Sequence, residues 1–391
     1  MAQFQRSFFR TTSMVTRLNT RCYSKTDYAN EKNIKKSVFI SQSKDVYTNL
    51  ALQQWLFKNF DFTNHHVLML WQNDPSVVIG MEQNPWLETN YSELNNLGVQ
   101  LARRSSNGEA FYEDNGTLNL SFFSSKERYN SRYNMEIISR GIFREFGCKT
   151  DLNSADDLLL RNNKQFSGKS AKIGQSNSYH YCSIMVRVNK INENLLLQPH
   201  GVDIQSVKNR DIKKMNLCEE NPQVSVDSAM QAIGWEFLRS KALSLKDGGL
   251  NQANQQRGFH LINPTEGWFP GITEIRDNYA SWQWCYGKTP VFDITQTFTV
   301  PGDLIDQKTG SSAQLKVTMT VEKGKISDIT LFVPYGFTAL GFTGEAKVIH
   351  NLKGKKFSIE AFNDLEDSLG VLLDDRDKFV TECLKQVMTC A

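Results

Sequence analysis

From Asp45 onward, Val46, Leu50, Trp55, Leu56 and Phe60 return at helical intervals, which predicts an amphipathic helix. Upstream, residues 37–40 read as a short strand. The apolar runs 67–71 and 77–79 suit buried strands, with Asn73-Asp74-Pro75 turning the chain between them. Residues 88–97 read as a short helix closed by Gly98, and 99–103 as a strand entering a loop. Phe111-Tyr112 and 118–122 form an expected hairpin on Asn115-Gly116, since Leu118, Leu120 and Phe122 alternate with polar residues. A helix over 134–146 ends at Gly147. Strands are predicted at 158–160 and 184–188, flanking a polar loop rich in Lys and Ser from 161 to 177. Residues 203–226 are polar and irregular, and Ala229, Ile233, Phe237 and Leu238 mark a further helix.

The stretch 245–257, with several Gln and Asn, reads as a boundary loop. Beyond it Leu315, Val317, Met319 and Val321 alternate, Lys323-Gly324 turns the chain, and Ile326, Ile329 and Leu331 return as an antiparallel hairpin. Residues 360–369 are predicted helical. Strands and helices mix without regular β-α-β alternation, so the fold class is α+β. The expected division is a folded domain over 37–265 and a small α+β module over 280–391.

The length of 391 residues suits two domains, and 40% hydrophobic with 22% charged residues suits a globular chain with a sizeable core. A net charge of +3 without a long Lys/Arg run argues against a dedicated nucleic-acid binder. No apolar run approaches membrane-spanning length, so no membrane partner is expected, and a monomer is. The seven cysteines are scattered without a C-x-x-C pair, and the six histidines lack H-E-x-x-H spacing; no disulfide framework and no metal site are expected. The first 24 residues carry Arg6, Arg10, Arg17 and Arg21, many hydroxyls and no acid before Asp27, the composition of a mitochondrial transit peptide.

Several motifs stand in one order along the chain. Trp71 to Gly80 with Gln83-Asn84-Pro85-Trp86, Arg103-Arg104 through Phe123, Ser167-Gly168 with Lys172-Ile173-Gly174, His180 with Cys182, His260 to Thr265, and Trp282 to Pro290 resemble the successive motifs of the lipoyltransferase and lipoate–protein ligase A family. The second of these is similar to R-R-x-S-G-G-G-x-V-Y-H-D-x-G-N-x-N, the third to K-I-S-G-x-A-x-K-I-G and the fourth to H-H-C/G-T. The resemblance spans roughly residues 37–370. It implies a mixed-sheet catalytic domain of the biotin/lipoate-ligase type with a small accessory domain. It also implies an acyl-donor pocket at Arg103, Arg104, Ser106, Gly108, Tyr112, Asp114, Asn119, Gln165, Ser167, Gly168, Lys172, His180 and Ser183.

Several charges depart from the resembled pattern. The motif lysine falls on Gln165, so a one-residue slip presenting Lys164 as the catalytic lysine is expected, although a slip in extended chain reverses side-chain direction. Cations are missing at Met81 and Ala155, and carboxylates are gained at Glu82, Glu109 and, in place of the motif histidine, Glu113. Two unit charges about 5 Å apart at an effective dielectric of ~20 interact by roughly 3 kcal/mol, enough to weaken anion binding about a hundredfold. Arg103 and Arg104 alternate on a strand, which would point one to the site and one to solvent. Trp282 and Trp284 read as core, and Gly287 to Pro290 as a structural turn.

The resemblance implies that lipoate or octanoate, held as an acyl-adenylate, a thioester or a carrier amide, passes to one lysine of a lipoyl domain in the mitochondrial matrix. Expected acceptors are 2-oxoacid dehydrogenase E2 subunits and the glycine-cleavage H protein. Expected donors are lipoyl-AMP, lipoate or octanoyl-CoA, with ATP and Mg only if ligase activity is kept; the reduced cation set favours a transferase. The alternatives are an impaired member that binds lipoyl domains or acyl carriers without turnover and, less favoured, a biotin–protein ligase of the same fold type.

Overall fold

The structure, a computed structural model, describes residues 34–198, 213–240, 258–306, 313–338, 341–347, 352–358, 361 and 374–389. The stretches 1–24, 203–212 and 245–257 and, but for Ala361, the predicted helix 360–369 lie outside the described residues. The described chain separates into two units: 34–81, 100–193 and 213–281 in one, and 82–99, 194–198 and the described residues from 282 onward in the other.

The first unit is α+β. It is organised around a six-stranded mixed sheet whose strands are β1 (Lys35–Ser41), β2 (His65–Trp71), β6 (Thr117–Ser125), β7 (Ser167–Ile173), β8 (Asn177–Met185) and β9 (Phe259–Ile262), in the order β7-β8-β6-β2-β1-β9. β1 runs parallel to β2 and β9, and the other pairings are antiparallel. Three short strands, β3 (Ser76–Ile79), β4 (Gln100–Arg103) and β5 (Phe111–Glu113), form a second sheet in the order β4-β3-β5.

On one face of the large sheet Leu68, Leu70, Leu118, Leu120, Phe122, Cys182 and Ile184 share a core with Met135, Ile138 and Ile142 of helix α2 (Ser131–Phe146) and Ala229, Ile233 and Phe237 of α3 (Val226–Arg239). The 3.6-residue spacing puts these residues on one stripe of each helix. Asn130 caps α2 by accepting from Tyr133 N, and Gly147 ends it at φ 68°, the left-handed conformation that glycine tolerates. Helix α1 (Val46–Asn59) is capped by Asp45, whose side chain accepts from Thr48 N. It is buried on most sides, including the polar Asn49, Gln53 and Gln54.

Two local expectations are corrected. The stretch read as a polar loop from 161 to 177 contains β7, hydrogen-bonded along its length to β8, which itself begins at Asn177. Its Lys and Ser residues hid the strand because neither face of it is purely apolar. The helix read over 88–97 is two, Pro85–Glu88 and Tyr91–Asn96, the second starting afresh at the Asn90 cap.

The second unit holds a four-stranded antiparallel sheet, Phe292–Thr299, Gln314–Glu322, Lys325–Val333 and Gly344–Lys347, in sequence order. Lys323 and Gly324 both adopt positive φ in the tight turn, as a two-residue hairpin requires. Helix Asp375–Thr389 packs Cys383, Leu384, Val387 and Met388 onto this sheet's core, which also takes in Trp86, against Phe292 and Phe357. Trp282 stacks on Tyr286, 5.7 Å between centroids.

Candidate active site

The site is built on the large-sheet face that does not carry α2 and α3. Side chains alternate along a strand, and directly paired residues point the same way. The register therefore sets three rungs on that face: Gly168, Ser183, Asn119 and Trp71; Ser170, Tyr181, Ser121 and Met69; Lys172, Tyr179, Phe123 and Val67. Hydroxyl, amide and ammonium groups stand on a sheet interior because a second polar layer covers them. Gln53 Nε2 donates to Ser121 Oγ at 2.6 Å, and Ser106 and Ser170 share a hydrogen bond of 2.8 Å.

Arg103 and Arg104 lie in that covering layer, and both are buried, 0% and 1% exposed. The expected in-and-out alternation fails because Arg104 lies just beyond the end of β4, where the backbone turns and its carbonyls need donors. Arg103 Nη1 donates to Gly80 O (3.2 Å) and Met81 O (2.8 Å). Arg104 donates to Val78 O (3.2 Å), Asn107 O (3.4 Å) and Glu109 O (2.7 Å) and stands 5.1 Å from the Phe111 ring centroid. Its Nε is buried without a hydrogen-bond partner. Burial pulls the guanidinium below its ordinary range, while Tyr181 and Glu113 act the other way.

The loop held by Arg104 keeps one glycine of the resembled three. Gly108 has φ 121°, and a β-carbon at Gly80 would collide with the Gly108 carbonyl, so two backbones touch with no room for a side chain. A β-carbon at Gly168 would likewise collide with the Phe111 ring.

The three gained carboxylates have different fates. Glu82 and Glu109 are exposed. Glu113 is 1% exposed and fully bonded: Asn73 Nδ2 (2.6 Å) and Asn119 Nδ2 (2.9 Å) donate to Oε2, and the Tyr181 hydroxyl to Oε1. Tyr181 OH also lies 2.9 Å from Asn119 Oδ1. Burial raises the Glu113 carboxyl above its ordinary value, and the three donors oppose it; burial, then Glu113, pushes the Tyr181 phenol up as well.

At the other end of the face, Lys172 Nζ donates to Gln54 Oε1 (3.1 Å) and sits 5.1 Å from the Phe57 ring centroid. Burial, then the charge of Lys58, holds this ammonium below the usual lysine range. Ser105 Oγ donates to the same Gln54 oxygen at 3.1 Å and lies 3.1 Å from Tyr179 OH.

Of the residues expected at the pocket, the structure thus gathers Arg103, Arg104, Ser106, Gly108, Asn119, Gly168, Lys172 and Ser183 about one layer. Others are turned elsewhere. His180 is on the opposite sheet face, 1% exposed, between Phe122 and Tyr129 with Nδ1 3.4 Å from Asn134 Nδ2. Burial, reinforced by Lys169, lowers its pKa to about 4. Tyr112 alternates away from Phe111 and Glu113 and meets Asn192 at 3.4 Å. Asp114 fixes the turn from β5 into β6 by accepting from Gly116 N and Asn189 N; the expected hairpin does not form, because β5 pairs with β3 in the small sheet and β6 with β2 and β8 in the large one. Ser167 Oγ accepts from Leu158 N.

The slip that would present Lys164 does not occur. Gln165 is pinned in register by backbone bonds to Lys213 O and from Met215 N, and its Nε2 donates to Ser167 O at 2.6 Å. Lys164 instead acts on Glu219, beside the Lys190–Glu219 and Arg161–Glu220 pairs. Sequence reasoning missed Gln53, Gln54, Ser105, Phe111, Tyr179 and Tyr181. The adjacent glutamines within the otherwise apolar run 50–57 of α1 were the one readable signal. Among the described residues no group of three or more His, Cys, Asp or Glu is placed to hold a metal ion, and no helix is long and apolar enough to cross a membrane.

A buried layer of hydroxyl and amide donors, with its two guanidiniums bonded to backbone carbonyls and one half-buried ammonium at its edge, is suited to a substrate that presents a carbonyl oxygen. The model of the lipoyl protein ligase A/B catalytic domain matches residues 45–238. The human protein "Lipoyl amidotransferase LIPT1, mitochondrial" is 32% identical over 333 residues, 84% of each chain. "Lipoate-protein ligase A" of Bdellovibrio bacteriovorus is 28% identical over 66% of this chain and 74% of its own. The fold matches the crystal structure of P. falciparum LipL1 in complex with lipoate, with a TM-score of 0.56 at 22% identity, over 90% of this chain and 99% of that one. The chain belongs to the lipoyltransferase and lipoate–protein ligase family, and it is an acyltransferase.

Proposed function

We propose that this chain takes a lipoyl or octanoyl group from an uncharged carbonyl donor, a carrier amide or a thioester, and joins it to one lysine of a lipoyl domain. The observation that carries this reading is the commitment of both buried arginines to backbone carbonyls. With Gln165 at the motif lysine, Lys172 is the half-buried ammonium left on the site face. A phosphoryl anion needs several cations; a carbonyl oxygen needs only donors that strengthen as negative charge develops on it.

In the reaction the acceptor lysine, as free amine, attacks the acyl carbon. The new C–N bond forms, the donor's C–N or C–S bond breaks, and the amine's proton passes to the leaving nitrogen or sulfur. Lys172 stabilises the oxyanion. Gln54 holds the Lys172 ammonium in place. The basic, acid-free segment 1–24 and the mitochondrial naming of the human relative support action in the mitochondrial matrix. E2 lipoyl domains and the glycine-cleavage H protein are the acceptors this reading implies.

The test is intact-mass measurement of a purified lipoyl domain incubated with the protein and, in separate tubes, octanoylated H protein, octanoyl-CoA, or lipoate with ATP. A mass gain of one acyl group with the first or second donor and none with the third is expected. A gain with lipoate and ATP alone overturns the donor assignment, and no gain in any tube overturns the transferase.

A further inference from the structure

Two positions where the chain departs from the motifs it resembles are far apart in sequence and touch in space. Glu113 stands at the histidine of the segment that begins with Arg103, and Tyr181 at the second histidine of H-H-C/G-T. Either change alone would be unfavourable here: a buried carboxyl without donors, or a buried phenol without an acceptor. Together they satisfy one another. The Tyr181 hydroxyl meets Glu113 Oε1, and Asn73 and Asn119 close Oε2. The pair lies in the same layer as Arg104, whose three hydrogen bonds go to uncharged carbonyls: the Phe111 ring meets both, 5.1 Å from the guanidinium and 6.3 Å, centroid to centroid, from the Tyr181 ring, and the Glu113 carboxylate offsets the Arg104 charge.

We propose that Glu113 and Tyr181 are a matched pair that determines donor selectivity: by balancing Arg104 from inside the layer they make the site favour an uncharged acyl group over an acyl phosphate anhydride. This rests on the acyl-transfer reading above and adds the residues that choose the donor. The pair acts as a positioning device, since neither group need touch the acyl carbon. Glu113 occupies the field of Arg104 that would otherwise draw a phosphoryl group, and Tyr181 keeps the carboxyl desolvated and fixed.

The test compares octanoyl-AMP with octanoyl-pantetheine, which carry the same acyl group and differ in charge, using the full chain. Glu113→Gln keeps the shape and removes the charge; Glu113→His with Tyr181→His restores the resembled pair. The kcat/KM ratio of octanoyl-AMP to octanoyl-pantetheine is expected to rise at least tenfold in both variants, with cooperative thermal unfolding retained. A ratio within twofold of the parent in both overturns the proposal. Should Glu113→Gln fail to fold, the double variant carries the comparison. If the parent transfers from neither donor, the transferase reading fails by itself. Calorimetric binding of octanoyl-AMP then decides the pair: tenfold tighter binding in the variants supports it and unchanged binding overturns it.

Discussion

On one face of the six-stranded sheet Leu68, Leu120 and Phe122 meet two helices; on the other Asn119, Ser121 and Tyr181 meet glutamines, an arginine and a glutamate. Both sets are buried. The apolar face is stabilised by area alone and tolerates approximate shapes. The polar face is stable only while each buried donor and acceptor is matched, so its geometry is strongly specified. Stability and chemistry are thus divided between two sides of one sheet, and variants on the two sides are expected to separate them.

The largest effect on stability is expected at Leu120, which is fully buried against the helical core. Leu120→Ala should cost about 3–4 kcal/mol of unfolding free energy through lost burial and a residual cavity. Denaturant unfolding measures it, and kcat/KM per folded molecule should stay within twofold. A parallel collapse of kcat/KM in still-folded protein would break the division of labour.

His180 sharpens the same contrast through pH. Its folded pKa of about 4 lies below the ordinary 6.5, so the folded state holds the ring neutral. Its contribution is fully present above pH 6.5 and is lost as pH falls from 6.5 through about 4. The difference corresponds to about 3 kcal/mol for a group this buried. His65, lowered to about 4 mainly by burial, adds to the same acid limb. His180→Leu should flatten part of the fall in Tm between pH 7 and 4 while leaving the donor KM unchanged. A raised KM would return His180 to the pocket.

The apolar side was largely legible in the sequence: the α3 spacing of Ala229, Ile233, Phe237 and Leu238, the alternation of Leu118, Leu120 and Phe122, and Gly147 ending α2 all follow from spacing. The polar side was half legible. The motifs point to Gly108, Gly168 and Lys172, but β7 reads as a loop because Ser170 and Lys172 are polar on the face that needs them. Arg103 and Arg104 were assigned by strand alternation, which lapses where β4 ends. The contact of Glu113 with Tyr181 joins positions 68 residues apart, and no local pattern announces it.

Arg104 tests the arginine's commitment to the loop. Arg104→Met removes the donor to Val78, Asn107 and Glu109 carbonyls and should cost about 2 kcal/mol, less than Leu120→Ala because the loop reaches water at Asn107 and Glu109. KM for the acyl donor should rise more than kcat falls, and Arg104→Lys should restore part of it. An unchanged KM would make the arginine a packing residue only.

The smallest expected change in stability and a clear one in chemistry lie at Gln54. Its Oε1 accepts from both Lys172 and Ser105, so Gln54→Leu removes the acceptor that fixes the ammonium while keeping side-chain volume. Unfolding free energy should move by less than about 1 kcal/mol, because Lys172 and Ser105 are only partly buried and water can replace the lost partner. kcat/KM should fall about tenfold, since a cation free to rotate no longer waits where negative charge develops. Gln54→Glu makes the opposite change: it keeps the acceptor and adds a charge that favours the protonated lysine, which burial and Lys58 otherwise disfavour. If deprotonation of Lys172 limits the rate on the alkaline side, that limb of the pH–rate profile should move upward in Gln54→Glu and stay in place in a surface control such as Lys323→Gln. A Gln54→Leu protein with unaltered kcat/KM would mean that the amide only fills the core, and that Lys172 is positioned by the sheet alone.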